Sequence, residues 1–320
     1  MITLLRRMYA VIRWYFRPAI VRRKVIDGVH SPRLRAAPAE DRTFLFNNAR
    51  NLDRMFEYLG EIWDREWRSL FLSEHSILIK INLNTADPYP ASTDPGMLAA
   101  LLRFLREKNL RRLWVGDCSS VGSVPTKKTV AKTGIMSAIE GMAEFLCFDD
   151  GPWVSVPISG HYMTEVTVPK VVMEVDRIIS LANIKSHGEA DFSLGMKLAV
   201  GFMHPLERFP LHRDHLREKI PEISLAVQSD LTIIDGRTIF ITGGPRRGET
   251  ARCDTVVVGT DVVKADVAAY RVLVDAKKRN NRISGFTGEP FDMLQFSHAR
   301  KVGLIKSPVQ EVTTIRCENG

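Results

Sequence analysis

The segment Ser76-Ile77-Leu78-Ile79-Lys80-Ile81-Asn82-Leu83 decides the reading of the fold. It is a short aliphatic, β-branched run interrupted by one lysine, the pattern of a strand buried on both faces. Pro88, Pro90 and Pro95 then make a rigid loop. Met97–Lys108 places Leu98, Leu101, Leu102 and Leu105 at helical spacing, and Arg112–Gly116 is a second apolar run ending in Asp117. Strand, loop, helix and strand in that order predict parallel pairing through a crossover helix.

The same alternation extends outward. Upstream, Asn51–Leu70 is expected to be helical, with Leu52, Met55, Phe56, Leu59 and Ile62 on one side. Downstream, the spacing predicts a helix over Thr126–Leu146, weakened near Gly134, and short strands at Thr164–Val168 and Val171–Val175 around Pro169. A buried strand over Arg177–Ile184 delivers Lys185, Ser186 and His187 at its end. A helical region is expected over Leu216–Val227, and strands at Leu231–Asp235 and Thr238–Thr242 around a turn at Gly236. Asp254–Val258 reads as a strand, Asp261–Lys277 as a helix and Val302–Leu304 as a last short strand. The expected architecture is a three-layer α/β body with a largely parallel or mixed sheet, preceded by an N-terminal helical arm. Residues 1–42 form the basic arm and its linker, and 43–320 the body, as one unit or two subdomains.

Charge is unevenly placed. The chain of 320 residues carries a net charge of +8, and seven basic side chains with no acidic one lie within residues 1–26. The body is therefore close to neutral, which argues against nucleic acid as its partner. In the arm, Leu4, Leu5, Met8, Val11, Ile12, Tyr15 and Phe16 recur at helical spacing among arginines. Such a helix fits a membrane surface, a protein partner or the protein's own body, and a disordered or targeting segment is the alternative. No apolar run is long enough to span a membrane. The four cysteines contain no CxxC pair, so a built-in iron–sulfur cluster is not expected and a reducing, cytoplasmic location is the simpler reading.

Polar residues at strand ends are the natural site candidates in such a sheet. Lys80, buried in an apolar strand, has to reach a cleft, a carboxylate or solvent; a solvated lysine on an edge strand is the alternative. Lys185 and His187 project to one face of an extended chain and suit proton transfer beside an anion; a surface turn is the alternative. Asn82, Thr93, Asp117, Ser119 and Ser120 follow the first two strands. Gly243-Gly244-Pro245-Arg246-Arg247-Gly248 offers amides, Arg246 and Arg247 to an anion, or simply turns a hairpin. It is not a phosphate-binding loop of the GK[ST] type, and no GxGxxG follows the first strand. His204, His212 and His215 raise a divalent metal as a cofactor, a polar lid or plain surface as the alternatives. Cys118 reads as a bystander thiol.

The order of these motifs resembles the DUF362 family over roughly residues 76–275. An IKPNL-like strand is matched by Ile79-Lys80-Ile81-Asn82-Leu83, a threonine–proline stretch by Thr93-Asp94-Pro95, and a GDSS-like turn by Gly116-Asp117-Cys118-Ser119-Ser120. A KTH motif followed by a glycine and KN appears as Lys185-Ser186-His187 and Gly195-Met196-Lys197-Leu198. Asp235-Gly236, Gly244-Pro245 and the segment Asp261-Val262-Val263-Lys264-Ala265-Asp266 complete the series. Leu198 departs from the asparagine of the KN pair, and the ferredoxin segment of some members is missing.

The resemblance implies a protein of undefined function, remotely similar to the nickel-pincer lactate racemase superfamily. On that reading His187, Lys185, Lys80 and Asp117 carry acid–base chemistry, with His187 as general acid or base. Asn82, Thr93, Ser119, Ser120, Lys197, Arg246 and Arg247 hold a small anionic molecule, and His204, Asp235 and Asp266 are the candidate metal ligands. The expected function is an isomerase- or lyase-like enzyme acting on an anionic metabolite. A non-catalytic accessory protein for ligand binding or metal-centre assembly, and an oxidoreductase using an external cofactor, are the alternatives.

Overall fold

The computed structural model describes residues 26–36, 38, 40–305 and 312–318. The arm Met1–Val25, with the membrane or partner contact expected of it, lies outside the described residues. The apolar runs form β1 (Ile26–Val29), β2 (Thr43–Asn47), β3 (Ser76–Lys80), β4 (Arg112–Asp117), β5 (Glu144–Cys147) and β6 (Trp153–Pro157). They continue as β7 (Glu165–Pro169), β8 (Arg177–His187), β9 (Asp191–Ser193), β10 (Leu231–Phe240), β11 (Thr250–Gly259) and β12 (Thr313–Arg316).

The main sheet runs in the order β12-β2-β11-β10-β8-β3-β4-β5, with β9 folded back on β8. From β5 through β4, β3 and β8 to β10 every pairing is parallel, whereas β11 is antiparallel to both neighbours. The sheet is therefore mixed but mainly parallel. β1, β6 and β7 form a small second sheet.

Helices cover both faces, as the doubly apolar strands require. On one face, α1 (Leu52–Ile62) and α2 (Pro95–Glu107) pack Leu59, Leu98 and Leu101 against Ile77 and Ile79 of β3. Trp63 and Trp67 continue α1 in a wider turn and anchor it, with the Trp63 ring 4.7 Å from Phe71 and Trp67 5.6 Å from Phe44. The start of α2 follows from its sequence: Pro95 needs no amide partner, and the Asp94 carboxylate accepts from Gly96 N at 3.0 Å. The opposite face carries α3 (Gly195–Leu198), α4 (Arg208–Arg213), α5 (Leu216–Ala226) and α6 (Val262–Arg279). There Val263, Val267, Ile220 and Ile223 join the apolar cluster that contains Leu78 of β3 and Val154 of the small sheet.

Local differences from the sequence reading have identifiable causes. The helix expected over Thr126–Leu146 breaks into short helices at Thr126–Val130 and Ile135–Ile139, and its end becomes β5, an edge strand beside β4. Val171–Val175 is not a strand: Lys170–Glu174 is a helical turn started by Pro169. β10 is continuous through Gly236, because β8 and β11 hold it extended on both sides, with a register irregularity at Gly236/Thr238. β8 runs past Ile184 to His187 because β9 pairs with its end. Val302–Leu304 turns off a helix at Leu294–Lys301, and the last described strand is β12, beside β2. The described residues before Thr43 lie along the body: β1 pairs with β6, and the Arg33 guanidinium reaches Asp230 at 3.0 Å and the Gln228 carbonyl at 2.9 Å.

Candidate active site

Chain order reverses between β3 and β8. From β3 the chain proceeds to β4 and β5 on one side, and from β8 to β10 on the other. Such a switch point leaves a crevice beyond the carboxyl ends of the strands. Here it opens into a cavity of about 970 Å³. Lys80, Asn82 and Asn84, alternate residues leaving β3, line it, as do Asn183, Lys185 and His187, alternate residues at the end of β8.

Lys80 is fully buried and meets Asp117 at 2.8 Å, while also donating to the Ile81 carbonyl at 2.7 Å. The Asp117 carboxylate is satisfied on all sides: it also accepts from Leu83 N at 2.5 Å and Cys118 N at 2.7 Å. Burial lowers the Lys80 pKa and Asp117 opposes that shift. Main chain passes directly over this pair. A Cβ at Gly201 would fall on Lys80 Nζ and Asp117 Oδ1, so only glycine fits there.

Lys185 has no such carboxylate. Its Nζ donates to the Ala91 carbonyl at 2.7 Å, and burial, then the neighbouring Lys197 charge, lower its pKa to about 7 against the weaker pull of Asp117. Lys197 on α3 makes no hydrogen bond or ion pair with a described residue. Burial, then Arg208, bring its pKa down to about 8. Arg208 is buried and donates to main-chain carbonyls alone, those of Cys118, Ser119, Gly201 and Met203 at 2.9–3.1 Å. It thereby ties the turn after β4 to the segment that covers Lys80.

His187 is fixed by its surroundings. Its Nδ1 accepts from Glu189 N at 3.1 Å and Ala190 N at 3.2 Å, so the ring hydrogen sits on Nε2. Burial, then Lys197, Lys185 and His212, lower its pKa, so the ring is neutral in this setting. Across the cavity the Asn82 amide donates to Asn183 Oδ1 at 3.0 Å. The lining includes six cationic side chains (Lys80, Lys185, Lys197, Arg208, Arg213 and Arg246) against the carboxylates of Asp117 and Glu189. With Asp117 engaged by Lys80, the cavity has a positive interior.

The structure thus brings together Lys80, Asn82, Asp117, Ser120, Lys185, His187, Lys197 and Arg246, all on the cavity wall. Arg246 is at the exposed rim and pairs with Asp87 at 2.5 Å. Thr93 and Ser119 stand behind the wall: Thr93 Oγ1 accepts from Asn82 N at 2.8 Å, and Ser119 Oγ donates to the Leu83 carbonyl at 2.8 Å. Arg247 lies in the exposed β10–β11 hairpin turn, outside the lining. That turn approaches β8 closely: Gly244 has φ +75°, and a Cβ there would overlap the Ser186 carbonyl. Burial pushes the Cys118 thiol up to about 12, which keeps it protonated.

The three metal candidates are dispersed. His204 packs its ring edge-on at 4.7 Å from Trp153 and accepts from Leu206 N at 3.2 Å. Asp235 pairs with Arg237 at 2.7 Å and accepts from the Tyr89 hydroxyl at 3.0 Å. Asp266 accepts from Gly195 N at 2.6 Å and Met196 N at 2.9 Å beneath α3, and burial raises its pKa to about 7. None of the three lines the cavity. Among the described residues, no group of three or more His, Cys, Asp or Glu is placed to hold a metal ion. The donor set does not fit a resident metal, and no chemical step is assigned to one.

Asn84, Asn183 and Arg208 were not singled out from sequence, whereas His212, read there as a metal candidate, part of a polar lid or plain surface, lines the cavity. Extending the alternation from Lys80 and Asn82 to Asn84, and back from His187 and Lys185 to Asn183, would have found the first two. Arg208 and His212 arrive from α4, whose position follows from tertiary packing alone.

The fold and cavity define the class: a three-layer α/β protein with a cationic cleft at a topological switch point. The chain belongs to the DUF362 family, a domain of unknown function whose model matches residues 77–271. It is similar to the thylakoid-associated protein sll1697 of Synechocystis sp., 23% identical over 211 residues that cover 62% of each chain. Among solved structures it is similar to a protein from Thermotoga maritima, at 13% identity and a TM-score of 0.46, covering 73% of this chain and 59% of that one. It is also similar to the lactate racemase apoprotein of Thermoanaerobacterium thermosaccharolyticum, at 13% identity and a TM-score of 0.35, covering 68% and 52%. The chain spans less than two thirds of the length of each of these proteins.

Proposed function

We propose that this protein is an enzyme that performs acid–base chemistry on a small anionic metabolite held in the cavity at the ends of β3 and β8. The carrying observation is that Lys185, Lys197 and Arg208 enclose one space and none of them is paired with a carboxylate. Structural ion networks pair their charges; an unpaired enclosed cluster is complementary to an anion that arrives with the ligand. The convergence of Lys80, Lys185 and His187 in a cleft favours catalysis over docking of a partner on an open face.

In this reading Lys197 receives the substrate's carboxylate or phosphate. His187 serves as a neutral hydrogen-bond donor through Nε2, not as a base, since its Nδ1 already accepts two amide hydrogens. Lys185, with a pKa of about 7, is half deprotonated at neutral pH and takes or returns the proton. Lys80 and Asp117 hold the floor and the local field. The reaction class is an isomerisation or elimination that begins with loss of a proton beside the anionic group.

The test is proton exchange in deuterium oxide. A panel of small hydroxy, keto and phosphorylated acids is incubated with the protein, and deuterium incorporation is followed by proton NMR. Lys185→Met is expected to slow exchange about 100-fold or more, the usual range for a positioned acid or base. His187→Gln, which keeps a donor, is expected to lose less than His187→Ala. Unchanged exchange in both Lys185→Met and His187→Ala, or no exchange and no binding with any acid of the panel, rejects the reading.

A further inference from the structure

Proton transfer leaves one property of Lys185 unused. Its amine is buried, held at a strand end by a single hydrogen bond to the Ala91 carbonyl, and has no carboxylate to keep it charged. Lys80, at the end of the neighbouring strand β3 and on the same cavity wall, differs: Asp117 meets it at 2.8 Å. Burial lowers the pKa of both enclosed lysines, but a carboxylate in direct contact opposes that at Lys80, whereas Lys185 touches only a main-chain carbonyl. A neutral amine in an enclosed site is a nucleophile, and a neighbouring cation is one of the ways to obtain it.

The groups around Lys185 match one kind of electrophile. Lys197 has no described partner and stands ready for a carboxylate. His187 has its hydrogen on Nε2, suited to a carbonyl oxygen. The Asn183 amide, whose oxygen is engaged by Asn82, keeps its NH2 for a second acceptor. A carbonyl next to a carboxylate would satisfy all three.

We propose that Lys185 is a covalent nucleophile that condenses with the carbonyl carbon of a small keto or aldehyde acid to form an imine. The proposal rests on the anion-binding reading of the cavity and names the substrate class within it. The Lys185 lone pair forms the C–N bond as the carbonyl π electrons move to oxygen, which is protonated to give a carbinolamine. A second proton on that hydroxyl lets the C–O bond break and water leave, and nitrogen keeps one hydrogen as the protonated imine. Of these two protons, one is the hydrogen the attacking nitrogen gives up and the other comes from the Lys197 ammonium, which solvent recharges. The resulting iminium is an electron sink for loss of a proton or a carboxylate from the neighbouring carbon.

The experiment is reductive trapping with sodium cyanoborohydride. The full chain is incubated at about pH 7 with glyoxylate, pyruvate, 2-oxobutyrate or 2-oxoglutarate, and with hydroxyacetone as the uncharged comparison. Intact mass and peptide mapping read the adduct, and calorimetric titration of each acid without reductant reads binding. One adduct per chain, on Lys185, faster with an acid than with hydroxyacetone, supports the proposal. At that pH Lys185 should carry about a thousandfold more neutral amine than an exposed lysine. In Lys197→Met, trapping stays on Lys185 but its half-maximal pH rises, since a charge that lowers the Lys185 pKa has gone. Binding of an acid without an adduct on Lys185 overturns this inference and leaves the anion site standing. Adducts spread over surface lysines at equal rates in the native protein and in Lys185→Met also overturn it. Neither binding nor trapping with any of the four acids overturns this inference and the anion-binding reading together.

Discussion

Replacing Asp117 with Asn isolates what one buried charge does for this fold. The carboxylate is almost wholly buried and accepts from Lys80 Nζ at 2.8 Å, Leu83 N at 2.5 Å and Cys118 N at 2.7 Å. Asparagine of the same shape turns one oxygen into an NH2, which must then face a donor, and it leaves the Lys80 ammonium without a counter-charge. Removing one partner of a buried pair costs about 3–5 kcal/mol. At this chain size about 1 kcal/mol moves the melting temperature by roughly 2 °C, so a fall of about 6–10 °C is expected. The sign of the pH dependence follows from Lys80, whose pKa burial already lowers and the substitution lowers further. A lysine depressed in the folded state binds fewer protons there than in the unfolded chain. Stability therefore rises with pH from the folded-state pKa up to the unfolded value of about 10.4, and the deficit of Asp117→Asn shrinks as pH passes from the variant's lower folded-state pKa to that of the native protein. Lys80→Met leaves Asp117 with two amide donors and is expected to cost less, and the double variant less than Asp117→Asn alone. Denaturant titrations at several pH values measure all of this. A loss below about 1 kcal/mol for Asp117→Asn, or strict additivity in the double variant, refutes the reasoning.

Gly201→Ala places a methyl group on Lys80 Nζ and Asp117 Oδ1, and overpacking of that kind is expected to cost about 1–3 kcal/mol; an unchanged melting temperature rejects the close approach. Arg208→Met strips the donors from four main-chain carbonyls, with an expected cost of about 2–4 kcal/mol. Because the Arg208 charge lowers the Lys197 pKa, the same variant is expected to raise it, and 15N-detected titration of the lysine amines checks the direction.

Where a side chain's environment is set by its own strand, the sequence was sufficient. A lysine in the middle of Ile77–Leu83 had to end at a cleft, a carboxylate or solvent, and Lys80, on a central strand, reaches the first two. The two-residue spacing of Lys185 and His187 put them on one face of a strand, and both line the cavity. Where the environment depends on how the folded chain turns or pairs, the sequence was silent. Nothing local to His187 announces that the amides of Glu189 and Ala190 turn back onto its Nδ1, which changes what the ring can do. The split of Thr126–Leu146 depends on a strand position beside β4 that no local periodicity encodes. Asp235 looked like a ligand because it ends an apolar run, but Arg237, two residues on, folds back to neutralise it.

The charges of the cavity bear on stability as well as on chemistry. Like charges enclosed together repel, and a fold that encloses Lys185, Lys197 and Arg208 with no carboxylate paired to any of them gives up stability it would keep if they were neutral. Two responses ease that repulsion. One is loss of protons, which the lowered pKa values of Lys185 and Lys197 express. The other is an anion, which binds the folded state and not the unfolded chain, and at a hundred times its dissociation constant stabilises by about 2.7 kcal/mol. The two responses compete for the same charge. Raising the pH through about 7 to 8 discharges the lysines and should weaken an anion's hold, whereas filling the site with an anion should pull both pKa values back up. Reciprocal coupling of that kind separates a binding site from a group of buried lysines that merely tolerate their surroundings.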